Sequence, residues 1–330
     1  MNYKLRILLF GEMKTQDITP SYKKAFESLG CEVTTFDPTE HYSISLWNRV
    51  LNRFLTELIR IKKGLGVRVY FGVQELNKVL LEKVRETRPQ LVFFSKPVTI
   101  KPATITAIQK LGAKTFAWHN DDLLNPRAVS RILFKAFPLY DCQFTPRSFA
   151  IQEFLKLGAK KAETLPFSAN TDLYYPEEVI EDEDRKKGAD IVFIGTYYEK
   201  SRAEILEKLC RHGYDLKVYG NEWHKYNEGK CLKEKAIMYR PIYGEEYRRV
   251  MNSSKIALAF LGKVMRDQHT HRSLEIPACG TFMLHERTQE ISALYKEGEE
   301  AEFFGSFDEL VEKVDYYLKN ESERKKIALA

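Results

Sequence analysis

The sequence has no run of apolar residues near the roughly 18 that a membrane-crossing helix needs. Its amino-terminal stretch, Leu5-Arg6-Ile7-Leu8-Leu9-Phe10, is too short and too soon interrupted for a secretory leader. A soluble, cytoplasmic protein is expected, at most peripheral to the inner face of a membrane. Cysteine is scarce: Cys31, Cys142, Cys210, Cys231 and Cys279 are odd in number and contain no C-x-x-C pair. Reduced thiols are therefore expected, with neither a disulfide framework nor a zinc ribbon. There is no G-x-G-x-x-G fingerprint and no Walker A motif, which disfavours nicotinamide dinucleotides and P-loop chemistry. Internal repeats and low-complexity tracts are absent as well. Nor is the charge extreme. The formal net charge of +6 suits a small anionic ligand, nucleic acid or an acidic membrane surface equally, so charge alone does not choose. No recognised nucleic-acid-binding motif is present, and a nucleic-acid partner is not expected.

What is present is alternation. At 330 residues the chain exceeds what one hydrophobic core usually serves, and two domains are expected. Short apolar runs at 5–10, 32–37, 90–95, 114–118 and 141–145 alternate with stretches of helical periodicity, including 74–87 and 102–111. This is the pattern of a parallel α/β sheet. It breaks at Pro176 and the acidic run Glu181-Asp182-Glu183-Asp184, then restarts with strands at 190–194, 216–219, 256–260 and 281–284. The reading is an α/β chain with a first Rossmann-like domain at 1–170, a linker at 171–189 and a second Rossmann-like domain at 190–330.

Ligands of open α/β sheets bind beyond the carboxyl ends of the strands. In the first domain that rule selects Gly11 and Glu12, Lys96, and the run His119-Asn120-Asp121-Asp122. His119 or Asp121 is a candidate to orient or deprotonate a hydroxyl. Asn120, Asp121 and Asp122 equally suit a plain helix cap. In the second domain it selects Gly195-Thr196-Tyr197 with Lys200 and Arg202, then Gly220, then the stretch from Asp267 to Glu275. A strand-to-helix turn beside two cations is a plausible diphosphate cradle, or else an ordinary turn with solvated charges. Asp267, His269 and His271 raise a metal site, but alternate spacing without a fourth ligand gives it little support, and no metal is expected. Outside these positions, Arg49, Arg53, Arg60 and Lys63 line one side of an amphipathic stretch at 46–63, which suits either a domain surface or contact with anionic lipid. The set Tyr239-Arg240-Pro241-Ile242-Tyr243 suits a base-stacking surface or a connector.

Arg272-Ser273-Leu274-Glu275-Ile276-Pro277-Ala278-Cys279-Gly280-Thr281-Phe282-Met283-Leu284 resembles the glycosyl transferases group 1 domain of the CgeB-like (spore maturation protein) family. The likeness continues through Glu286-Arg287-Thr288, Glu302-Phe303-Phe304, Phe307-Asp308-Glu309-Leu310 and Tyr317-Leu318. Phe193-Ile194-Gly195-Thr196-Tyr197-Tyr198 with Arg202 resembles that family's domain start. Leu165-Pro166-Phe167-Ser168-Ala169-Asn170 is similar to the interdomain segment of retaining group 4 enzymes. The resemblance implies a GT-B fold, two Rossmann-like domains with parallel sheets facing a central cleft. It implies a metal-independent, retaining transfer of a sugar from a nucleotide-diphosphate donor to a glycan, lipid or protein acceptor, in cell-surface or spore-coat polysaccharide synthesis. The nucleotide sugar is then substrate, and no cofactor is called for. Glu275 falls on the second glutamate of that family's Glu-x7-Glu motif, which accepts the ribose hydroxyls. Asp267 stands on the first, one methylene shorter. Lys200 or Arg202 would meet the diphosphate, and His269, Thr270, His271 and Arg272 phosphate or sugar. The short acid also motivates an alternative, a catalytically weak sugar-nucleotide-binding or structural assembly protein.

Overall fold

Alternating side chains on short apolar runs decide the architecture. The structure, a computed structural model of the chain, describes residues 4–14, 17–41, 72–125, 130–178 and 186–330. The amphipathic stretch 46–63 and the acidic run 181–184 lie outside the described residues. The chain divides into two compact units, Met1–Pro166 and Phe167–Ala330.

In the first unit, β1 (Arg6–Phe10), β2 (Glu32–Phe36), β3 (Leu91–Ser95), β4 (Lys114–Trp118), β5 (Cys142–Thr145) and β6 (Ala162–Thr164) form one sheet. Its order is β2-β1-β3-β4-β5-β6, and every pairing is parallel. Leu8, Phe10, Val92, Phe94 and Ala117 pack with Leu76, Leu80 and Val84 of α3 (Val73–Thr87) and Ile105 and Ile108 of α4 (Pro102–Lys110). The opposite face of β3 meets α1 (Thr19–Ser28), where the Tyr22 and Phe93 rings lie 5.1 Å apart. All five residues of β3 are buried, as a central strand covered on both faces requires. The edge strand β6 reads Ala-Glu-Thr and has no apolar pattern, so local periodicity does not reveal it.

In the second unit, β7 (Ile191–Ile194), β8 (Leu216–Tyr219), β9 (Ile256–Ala259), β10 (Phe282–Glu286) and β11 (Glu302–Phe304) form a parallel sheet of order β11-β10-β9-β7-β8. Ile191, Phe193 and Leu258 face α7 (Lys200–His212) and α11 (Phe307–Lys319) through Leu206, Leu209, Leu310 and Val314. Val192, Ile194, Ala257 and Ala259 face α8 (Gly244–Asn252) and α9 (Arg272–Ala278) through Tyr247, Val250 and Ile276. Successive strand residues thus serve opposite layers.

Residues placed in the linker from sequence include a packed piece of this unit. Tyr174 is buried in its core, and Leu173 packs against it. Arg248 binds Glu177 at 2.8 Å, donates to the Leu173 carbonyl and lies 4.1 Å over the Tyr175 ring. The expectation of reduced thiols fails at one pair, because Cys210 and Cys231 form a disulfide. Their separation of 21 residues carries no signal; α7 and the turn at Leu232–Ala236 bring the two Cα atoms to 5.9 Å. Cys31, Cys142 and Cys279 are free.

Tyr174 gives a direct test of the unit boundary. A fragment beginning at Phe167 is expected to be more stable than one beginning at Asp190 by about 2 kcal/mol, the value of one buried aromatic side chain. Urea denaturation of both fragments measures this, and equal midpoints would return residues 171–178 to the linker.

Candidate functional site

Strand order fixes where a ligand can sit. In the second sheet the chain passes from β7 to β8 on one side, then returns to place β9 on the other. The connections leaving β7 and β9 therefore run to opposite sides of the sheet, the kind of reversal beside which open α/β sheets bind their ligands. The turn after β7 is tightly set. A Cβ on Gly220 would overlap the Gly195 carbonyl oxygen, and Gly220 has φ +146°, a conformation open to glycine. Trp223 donates its indole N–H to that same carbonyl at 2.8 Å, and the Tyr197 amide donates to the Asn221 carbonyl at 2.9 Å. Tyr197 packs its ring on Trp223 and Tyr226, while Thr196 is exposed.

The two expected cations of this turn part company. Lys200 points outward, 73% exposed, to a surface pair with Glu228 at 2.6 Å. Arg202 is only 9% exposed. It donates from Nε to the Leu261 carbonyl at 3.2 Å and from Nη2 to the Tyr198 hydroxyl at 2.5 Å, and its guanidinium lies 4.4 Å from the Tyr198 ring centre. Glu199 stands 4.0 Å from the Arg202 Nε. Asp267 closes the group: a Cβ on Gly262 would collide with the Tyr198 hydroxyl and come within 2.6 Å of the Asp267 Oδ2. Burial raises the Tyr198 phenol, the Arg202 charge lowers it, and Asp267 and Glu199 raise it further; the net shift is upward. A second guanidinium reaches the end of β7 from α9. Arg272 donates from Nε to the Ile194 carbonyl at 3.2 Å, binds the Glu275 carboxylate and lies 4.4 Å from the Tyr247 ring centre. Glu275 is 8% exposed, and burial together with the nearby Glu275 charge raises the pKa of the buried Tyr174 phenol. Burial and the adjacent Glu275 push the Cys279 thiol up to about 12, so it is an inert part of the core.

His269 is buried and holds Glu290 through Nδ1 at 2.9 Å, while its Nε2 has no hydrogen-bond partner among the described residues. His271 packs on the Phe167 ring at 4.4 Å, and burial lowers its pKa against the opposing pull of Glu275. Thr270 donates its amide to Ser273 Oγ at 2.8 Å, a local turn contact. Among the described residues, no group of three or more His, Cys, Asp or Glu side chains is placed to hold a metal ion.

In the first sheet the strand order reverses at β1, between β2 and β3. Gly11 leaves β1 there, with room for no side chain: a Cβ would collide with Thr19 Oγ1 and come within 2.9 Å of Ser95 Cβ. Lys96, after β3, adopts φ +55° and pairs with Asp121, after β4, at 2.7 Å. Glu12 pairs with Lys14 at 3.2 Å on the surface. The rest of the polar run is structural in its contacts. Asp122 accepts the Leu124 amide at 3.0 Å in an Asx turn, with residues 123–125 forming a turn rather than the helix a cap would start, and the Asn120 carbonyl accepts from Arg147 at 2.8 Å. His119 is 3% exposed, bonded to Gln143 at 2.7 Å and set between the Phe137 and Phe154 rings. A base for a bound hydroxyl must reach it, and this ring faces the core; of the two candidates Asp121 has the access. Sequence reasoning misses Tyr198, Glu199, Tyr174 and Glu290. Glu199 and Tyr198 lie in the selected turn and could be found there; Tyr174 and Glu290 meet the site only through the fold.

With this geometry in place, the comparisons are consistent. A family model described as glycosyl transferase-like matches residues 200–330. No protein of curated function matches the chain. Among solved structures the chain is similar to sucrose-phosphate synthase from Thermosynechococcus elongatus, at 11% identity, TM-score 0.63, covering 98% of this chain and 92% of that one. It is similar to Anabaena HepE in complex with UDP-glucose, at 12% identity, TM-score 0.59, covering 98% and 92%. It is also similar to a putative UDP-N-acetylglucosamine 2-epimerase from Listeria monocytogenes, at 13% identity, TM-score 0.56, covering 99% and 91%. The chain has the GT-B fold, two units each built on a parallel sheet.

The buried histidines give a pH prediction. Burial lowers both His119 and His285 to about 4, below the usual 6.5, against the weaker pull of their hydrogen-bonding partners. The unfolded chain then binds more protons between pH 6.5 and 4, so stability is present above that window and falls as pH drops through it. The loss is expected to be a few kcal/mol, because each ring costs roughly 1.4 kcal/mol for every pH unit by which folding displaces its titration. Urea denaturation of His119→Gln from pH 7 to 4 is expected to show a shallower decline than the parent chain; an unchanged slope would refute a neutral buried His119.

Proposed function

We propose that the chain is a glycosyltransferase whose second unit binds a nucleotide-diphosphate sugar and whose first unit holds the hydroxyl that receives the sugar. The observation that carries this reading is the gathering of Arg202, Arg272, Asp267 and Glu275 beside the β7 and β9 ends. Two guanidiniums suit a diphosphate leaving group, since they stabilise charge that grows during transfer. Glu275 already binds Arg272, and a carboxylate with about four lone-pair sites keeps capacity for ribose hydroxyls. Asp267 supplies negative charge where the transferred sugar becomes electron-poor. On the first unit, Lys96 orients Asp121 for the acceptor hydroxyl. The fold of HepE, crystallised with UDP-glucose, supports a uridine-linked donor as the first to try.

The proposal extends to a CgeB-like transferase, acting with retention, without a resident metal or cofactor, on a glycan, lipid or protein acceptor in surface or spore-coat polysaccharide synthesis. It places the protein in the cytoplasm, with the basic stretch 46–63 offered to the membrane face. A second reading, a sugar-nucleotide-binding or assembly protein with weak catalysis, is favoured by the short acid Asp267 and by the hold that Tyr198 and Glu199 keep on Arg202.

Calorimetric titration with UDP, GDP, ADP and their sugar conjugates tests the donor, and release of the free nucleotide tests turnover. Glu275→Ala is expected to weaken nucleotide-sugar binding by about 1–3 kcal/mol through lost charged hydrogen bonds. Asp121→Ala is expected to lower turnover while leaving donor affinity unchanged. Binding without turnover across donors and acceptors would select the second reading, and unaltered affinity in folded Glu275→Ala would remove the donor assignment.

A further inference from the structure

The loop leaving β9 is held from both sides by carboxylates. Glu199, 8% exposed at the start of α7, accepts the Lys263 amide at 3.2 Å and the Val264 amide at 3.0 Å. Glu286, at the end of β10, accepts the Leu261 amide at 3.1 Å, and its other oxygen binds the Lys263 ammonium. Amides of a short irregular loop that point together form a concavity suited to an anion. Here the chain's own carboxylates fill it, so these amides are not where a phosphate goes. They fix the loop instead. The loop then turns at Gly262, whose carbonyl accepts the Asp267 amide at 3.0 Å and which leaves no space for a side chain between the Tyr198 hydroxyl and the Asp267 carboxylate. The Glu199 carboxylate also stands 4.0 Å from Arg202, whose Nε holds the Leu261 carbonyl of the same loop.

We propose that Glu199 is a positioning residue that, through the loop it holds, sets Asp267 at the correct height beside a bound donor. The inference rests on the donor reading given above. Glu199 touches no substrate itself; it ties the turn after β7 to the loop after β9 and so fixes the acid, while Arg202 keeps its own hold on the Leu261 carbonyl and the Tyr198 hydroxyl. A carboxylate is required because two N–H groups converge on it. Glutamine offers one acceptor and turns an N–H₂ toward the other amide, replacing a bond by a donor–donor contact.

Glu199→Gln is compared with the parent chain and with Glu302→Gln, which removes a buried carboxylate that binds Tyr317 at 2.6 Å on the edge strand β11. UDP affinity is measured by calorimetry, UDP-glucose hydrolysis by nucleotide release, and folding by thermal unfolding. Glu199→Gln is expected to lower kcat about tenfold or more, the scale of a small misplacement of reacting groups, with UDP affinity within about threefold. Glu302→Gln is expected to lose a similar amount of thermal stability and keep its kcat. Gly262→Ala, which leaves Glu199 intact but drives a methyl into Tyr198 and Asp267, is expected to reproduce the kcat loss without an affinity loss. Full kcat in folded Glu199→Gln, or a parallel fall of UDP affinity and kcat, overturns the inference while the donor reading stands. A parent chain that binds no nucleotide overturns the donor reading, and this inference with it.

Discussion

The second unit depends on the reversal of strand order at β7. Because β8 and β9 lie on opposite sides of that strand, the connections leaving β7 and β9 run to opposite sides of the sheet. Beyond the strand ends the two are joined by side chains, since the backbone ladder stops there. Arg202 and Glu199 reach from the β7 side to the β9 loop, and Arg272 reaches back to the Ile194 carbonyl. On the flank toward β8 the opposite demand holds. There the backbones of Gly195 and Gly220 approach so closely that a methyl group on Gly220 would overlap the Gly195 carbonyl oxygen. One side of β7 is closed by contact between main chains, and the other is joined by side chains.

This division explains what can be read from the residues. Burial patterning is local, so the runs at 190–194 and 256–260 identify β7 and β9 without a partner in view. Glycines after strands, such as Gly11, Gly195 and Gly220, are local signals too. The edge strand β6 is invisible in the sequence because Ala-Glu-Thr buries little and is recruited only by its neighbour β5. The candidate site is legible as a set of turns but not as a set of contacts. Lys200 and Arg202 look interchangeable in the sequence, two cations in the first turn of one helix. Their positions on the helical wheel send one to Glu228 at the surface and the other beneath Tyr198.

His119 shows the reverse error. Four polar residues after an apolar strand suggest a reactive cluster, yet the first of them still follows the strand's alternation into the core, where Gln143 from β5 receives it. Asp121, two residues further on, meets a cation from another strand end, Lys96. The chemistry of a strand terminus begins, in this chain, where alternation stops, and that point cannot be located without the neighbouring strand.

The link between Cys210 and Cys231 carries a practical consequence. It encloses β8 and the Trp223 turn in a covalent ring, and rings of that size restrict the unfolded chain by about 3 kcal/mol. Material handled with thiol reagents and material exposed to air are then thermodynamically distinct species. The ring includes Trp223, whose indole holds the Gly195 carbonyl, so the two species differ in the covalent restraint on the residues beside that turn.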